Sequence, residues 1–451
     1  MEDDNVASWE RRYGITETVI NITRIRVHSH LQAGEGVSFL HYAHARHSSD
    51  PDPVMTVNEA GAISLQGWSE PVELKTHRPI ELNPESLVVR GTDEAFPRSS
   101  KVLAHGEDGE VKKIVPLPDG RWLVGMEAGD IRLLDAAGEM QWEATVSGPI
   151  HDMDAGPEQV FVGHGDADLT ALRLTDGTTV WTHQIERIRS SCSWWEWPTP
   201  AAFCVVAARA DSGFTGVMVG CGDIQMRRFS LAGECQWTFR YQNGIPGTIR
   251  LLDVNNDGID EIVVGGEVMS NCSHCRVVDA DGRQLQELEV EGWTSRMTAL
   301  AVAEGEMTYL GFGVTRGRNV YFLEVDPTKA APLQEKWMRR MPGAVKAITI
   351  DPSIEMVLAG NSLGLVLAFD FSGESVGRLA LSAEVQSIFR LGEGYVVGLA
   401  DGAAHWLTRD ADGALQSQAR WEAGARWDRV AVTASGLLIP TVDAILYLPN
   451  S

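Results

Sequence analysis

Basic residues are scarce in this chain. Its 451 residues include 38 Lys and Arg against 62 Asp and Glu, for a formal net charge of −24. A protein that tracks a phosphate backbone needs a basic footprint, so no nucleic acid is expected as a partner. The short basic pairs, Arg227/Arg228 and Arg339/Arg340, are scattered and read as solvated strand faces. Cysteine is sparse too. Six residues, at 192, 204, 221, 235, 272 and 275, are too few for a disulfide framework, so free thiols are expected. No apolar run approaches the length of a membrane span. The opening "MEDDNVASWERRYGITET" has neither the basic nor the apolar region of an export signal. The expectation is a soluble, cytoplasmic protein. Strongly amphipathic helical segments are also lacking, which argues against alternating strands and helices.

Glycine, by contrast, is abundant, and it is periodic. The segments "WLVGMEAGDIRLLDAAGEMQW" (122–142), "VFVGHGDADLTALRLTDGTTVW" (160–181) and "VMVGCGDIQMRRFSLAGECQW" (217–237) share one pattern. Each has an apolar strand ending in Gly, a turn, a second strand, a glycine turn, then Trp. The pairs Gly138/Trp142, Gly177/Trp181 and Gly233/Trp237 have equal spacing. Looser copies continue to the C-terminus. The strand-ending glycines at 125, 163, 220, 265, 311, 360 and 398 step by about 45 residues, the length of one four-stranded blade. Short alternating strands with Gly/Asp/Asn turns point the same way.

The tight copies resemble PQQ-type repeats, found in quinoprotein dehydrogenases and in an outer-membrane assembly lipoprotein that shares their propeller. The resemblance covers about residues 112–421 and implies an all-β single propeller of four-stranded antiparallel blades. Its tryptophans are then packing wedges between blades. Eight blades are expected, with seven or nine as alternatives. The division is 1–75 for N-terminal strands, 76–111 for an irregular connection and 112–451 for the blades. "TVINITRIRV" (18–27) is the candidate ring-closing strand, because closure removes exposed edges. "PVMTVNEAGAISLQGW" (53–68) competes as a further partial blade.

One stretch, "DVNNDGIDEIVVGG" (253–266), sets several carboxylates beside an apolar strand. Asp253, Asn255 and Asp257 offer oxygens at every second residue, and Gly258 permits a sharp turn, as a hard cation requires. The twelfth position is Val264, which excludes an EF-hand. The stretch resembles the calcium loop of FG-GAP repeats in integrin α-chain propellers. That resemblance implies Asp253, Asn255, Asp257, the carbonyl of Ile259, and Glu261 as Ca²⁺ ligands. An Asn/Asp/Gly turn with solvated charges is the alternative.

Other chemistry is thinner. His28, His30, His41, His44 and His47 cluster near the N-terminus and could hold a transition metal, but no carboxylate or thiolate stands at firm spacing, so a polar hairpin reads better. "CSHC", with Cys272, His274 and Cys275, is half a zinc knuckle without its second half. "SSCSWWEWPTP" lies in a long inter-blade connection, and its Trp194, Trp195 and Trp197 form either a partner-docking patch or a blade cover. No nucleophile elbow, zincin or phosphate-loop motif occurs. A quinoprotein dehydrogenase often carries adjacent cysteines, which this chain lacks, so no PQQ is expected. The sequence reads as a non-catalytic scaffold for a protein partner, forming a monomeric ring. An enzyme or small-ligand binder using the central channel is the alternative.

Overall fold

A computed structural model describes residues 110–450, apart from short stretches at 190–198, 242–243, 269–272, 291–296, 306, 316–317, 411–413 and 442–443, together with strands at 54–57, 63–66, 72–73 and 101–105. The chain divides into two compact units, Met1–Val89 and Arg90–Ser451. In the first, Val54–Val57, Ile63–Gln66 and Val72–Glu73 form a three-stranded sheet of their own. The hairpin at 53–68 is therefore not a blade of the ring.

The second unit is an eight-bladed β-propeller. Seven blades are continuous in sequence, at 111–145, 150–184, 202–240, 244–290, 297–340, 345–380 and 385–422. Each is a four-stranded antiparallel sheet in chain order, with its first strand innermost. The eighth is composite: Ala431–Thr433, Gly436–Pro440 and Ala444–Pro449, completed by Lys101–His105. Closure thus joins the C-terminal strands to a strand just ahead of blade 1. The segment 18–27, expected for that role, lies outside the described residues. The stretch 76–111 is not merely a connection, since it supplies this strand. Its position follows from chain economy: the outer strand of one blade leads into the inner strand of the next, and Val111 begins blade 1 six residues after His105.

The core lies between blades rather than within them. Leu123, Ile131 and Leu133 of blade 1 pack with Ile150, Met153, Val160 and Val162 of blade 2. The second strands are buried along their length, and the repeating glycines mark where the next blade's inner strand crosses them. A Cβ at Gly125 would stand 2.8 Å from Met153 Sδ, and one at Gly163 2.6 Å from Ala202 Cβ. Glycine is required there by close approach, not by backbone conformation.

The tryptophans clasp neighbouring blades. Trp142 of blade 1 donates its indole N–H to Leu174 O of blade 2 at 3.0 Å and lies over Gly177. Trp181 does the same to Leu231 O and Gly233 of blade 3, and Trp237 to Ala280 O and Gly282 of blade 4. The glycine and tryptophan of one repeat therefore face opposite neighbours. The glycine receives the preceding blade's ring, and the tryptophan reaches the following blade's glycine. Arg227 and Arg228 belong to this packing, contrary to the solvated reading. Arg227 is buried and paired to Asp223 at 2.5 and 2.7 Å. Arg228 donates to Ala280 O and lies over the Phe214 ring.

Candidate functional site

Two polar regions on blades 1–4 concentrate charge. The first is the acidic loop, which joins Gly244–Leu252 to Glu261–Val268 in blade 4. Gly258 adopts a positive φ of 83°, and so does Asn256 at 60°; Asn tolerates this region better than most residues. Asp253 accepts from the backbone N–H of Asp257 and Gly258, and Asp257 Oδ1 accepts from Ile259 N at 2.8 Å. The Asn255 amide donates to Asp257 Oδ2 at 3.0 Å and Glu261 Oε1 at 2.8 Å, so three of the four side chains meet at one point. Glu261 is buried and also accepts from Val254 N. Its burial, with the charges of Asp257 and Asp253, pushes its pKa up to about 7. Asp260 is pushed up to about 6 by burial and by Asp211, Asp253 and Glu304. Among the described residues no group of three or more His, Cys, Asp or Glu side chains is arranged as a metal cluster. In this arrangement the carboxylates serve the loop's own amides. In donor chemistry, three carboxylates and one amide on a single turn, the loop suits a hard divalent cation.

The second region is the channel wall. Innermost strands have one edge without a strand partner, and its amides need acceptors. Asp152 and Asp154, on the inner strand of blade 2, supply them. Asp152 Oδ2 accepts from Val205 N and Asp154 Oδ2 from Ala207 N on blade 3, each at 2.9 Å. Lys113 of blade 1 reaches Asp152 Oδ1 at 2.8 Å, and this charge raises the lysine's pKa. Burial raises that of Asp154. Around these groups opens a cavity of about 510 Å³, lined also by Cys204, Arg209, Gly247, Thr248 and Arg250. The Cys204 thiol is buried and pushed up to about 12, so it stays protonated at neutral pH.

Lys113, Arg209 and Arg250 were not singled out by the sequence. They belong to blades 1, 3 and 4 and are separated by as many as 137 residues, which is 250 − 113. Aligning the first strand of each repeat would have gathered most of them, because that strand faces the channel. The remaining candidates fare unevenly. His28, His30, His41, His44 and His47 lie outside the described residues, as do Trp194, Trp195, Trp197 and Cys272. Cys275 sits in the strand Ser273–Val278, fully buried, its thiol pushed up to about 12 by burial. The four cysteines among the described residues are free.

No protein-family model matches the chain, and no curated protein does. Solved structures do. BamB from Moraxella catarrhalis is 17% identical with a TM-score of 0.55, covering 77% of this chain and 95% of that one. The Dos1 propeller is 13% identical at 0.58, covering 78% and 94%. Sqt1 from Chaetomium thermophilum is 14% identical at 0.58, covering 78% and 100%. At such identities the likeness shows the propeller fold alone.

Proposed function

We propose that this propeller is a non-catalytic scaffold that docks a protein partner on the face formed by the turns between first and second strands. The supporting observation is what this face gathers. Ile259, Met307 and Ile354, at the corresponding turns of blades 4, 5 and 6, are 39–44% exposed. Asp211, Asp257, Glu304 and Glu355 are exposed beside them. Between blades 2 and 3 the same face holds a pocket of about 450 Å³ lined by Pro157, Phe161, Phe214 and Leu231. Exposed apolar side chains are unremarkable singly. In consecutive blades beside an apolar pocket they suit a partner with an apolar anchor, and the surrounding carboxylates suit basic flanks. Trp194, Trp195 and Trp197 are proposed as a further docking element. The acidic loop is proposed to hold Ca²⁺ through Asp253, Asn255, Asp257, Glu261 and the Ile259 carbonyl, which would neutralise carboxylates that otherwise repel.

The test is affinity capture from native lysate with three baits: the natural chain, Ile259→Lys/Met307→Lys/Ile354→Lys, and Trp194→Ala/Trp195→Ala/Trp197→Ala. A stoichiometric protein held by the natural chain and lost from the first variant supports the face. Loss from the second places the tryptophans in the interface. No stoichiometric partner, or one retained by both folded variants, would sink the proposal.

A further inference from the structure

The channel cavity holds charge that the fold does not use. Of its five ionisable side chains other than Cys204, two are carboxylates, and both are turned to the wall. Asp152 is engaged through both oxygens, by Lys113 Nζ and Val205 N, and Asp154 accepts from Ala207 N. The guanidiniums differ. Among the described residues the Arg209 guanidinium makes no ion pair or hydrogen bond, although it lines the cavity and the residue is exposed. Arg250, also exposed, donates one N–H to Ile249 O at 2.9 Å and has no carboxylate ion-pair partner among the described residues. Arg209 stands within electrostatic reach of Asp154, and Lys113 adds a third positive centre.

In a chain of net charge −24, exposed arginines should readily find carboxylates. Two that line one polar recess of about 510 Å³ without an ion pair among the described residues leave guanidinium donors available to it. Such forks match the geometry of carboxylate and phosphate groups. The wall contributes the backbone at Gly247 and the Thr248 side chain as additional polar surface. Apolar ligands are disfavoured, since the lining presents more polar than apolar surface.

We propose that this recess binds a small, multiply charged oxyanion, clamped by Arg209 and Arg250 with Lys113 as a supporting charge. Arg209 also borders the docking-face pocket between blades 2 and 3, but Arg250 and Lys113 belong to the channel wall, so anion binding would persist if no protein partner existed. Carboxylate and phosphate share the recognising chemistry, so the experiment carries both. The full-length protein is titrated calorimetrically at low salt with citrate, pyrophosphate and, as a neutral control, glucose. One-to-one binding of citrate or pyrophosphate is expected, weakening as salt rises, with glucose silent. Preference between the two anions names the source. Arg250→Gln and Arg209→Gln should each weaken binding about tenfold or more, as loss of a charge-assisted donor pair does. Among the described residues neither arginine makes an ion pair, so both variants should melt like the natural protein. Lys329→Gln, on a distant turn, should bind unchanged. Absence of saturable binding by either anion, or equal binding by the arginine variants, would overturn the proposal.

Discussion

The seams between blades 1 and 2 and between blades 4 and 5 solve one packing problem with different residues. In the fourth strands of blades 1 and 4 a bulge shifts the register, and the residue just past it bonds to the next blade. That residue is Trp142 in blade 1 and Gln286 in blade 4. Trp142 is 9% exposed, lies on Gly177 and gives one N–H to Leu174 O. Gln286 exchanges two hydrogen bonds with the backbone of Leu333, each 2.8 Å. The shared requirement is a donor to a carbonyl of the next blade. The indole adds volume. Where that volume is missing, aromatic weight moves inward: the core between blades 4 and 5 contains Phe312 stacked on Tyr321, with centroids 4.8 Å apart. The wedge position is thus a mechanical coupling, and the chemistry of the molecule has to be sought at the channel and the turns.

The sharpest way to break this comparison is to truncate both couplings. Trp142→Ala should cost about 3–5 kcal/mol, because it opens a cavity between blades and orphans a carbonyl. Gln286→Ala should cost about 1–2 kcal/mol, the worth of two hydrogen bonds at a partly buried site. Urea unfolding of both variants measures the difference. Equal costs would mean that the tryptophan couples by hydrogen bonding alone.

Blade 4 also differs in its first turn, and this can be sharpened by metal. A cation that binds only the folded chain stabilises it by about 2.7 kcal/mol at a hundredfold excess over its dissociation constant. Added Ca²⁺ should therefore raise the Tm of the natural protein, and Asp257→Ala should abolish the response. Superimposable melting curves in calcium and in chelator would show a charged turn with no metal role.

These contrasts explain what could be read from the sequence. The strand-ending glycines and the Gly-to-Trp spacing were legible because steric demands at blade seams admit few residues. Gln286 stands at the same spacing from Gly282 yet was invisible, since an amide can meet the demand without resembling a wedge. Lys101–His105 closes the ring by backbone pairing, which almost any extended pentapeptide could do. Asp152 and Asp154 are, in the sequence, only two acidic residues at alternate strand positions. Their role became readable only when the neighbouring blade's amides were in place.

Blade 7 supplies the smallest and last contrast. Its residue past the bulge is Ala419, and its third strand buries a histidine. His405 holds Ser417 Oγ through Nδ1 at 2.8 Å, while its Nε2 is buried without a partner. Burial, reinforced by the Arg420 charge, lowers its pKa from 6.5 to about 4. The unfolded chain takes up this proton near pH 6.5 and the folded chain only near 4. Acidification therefore favours unfolding, with a loss that begins below about pH 6.5 and levels off below about pH 4. Between pH 7.5 and pH 6 this amounts to about 1 kcal/mol. Glu261 works in the opposite sense, because its raised pKa makes the folded state the better proton binder over that interval. Asp260, raised to about 6, acts in the same sense as Glu261, so only a variant isolates the contribution of His405. His405→Gln keeps a polar partner for Ser417 but cannot titrate. Its stability at pH 6 relative to pH 7.5 should exceed that of the natural chain by about 1 kcal/mol. Parallel profiles from denaturant unfolding at both pH values would show that His405 does not titrate below its ordinary range in the folded chain.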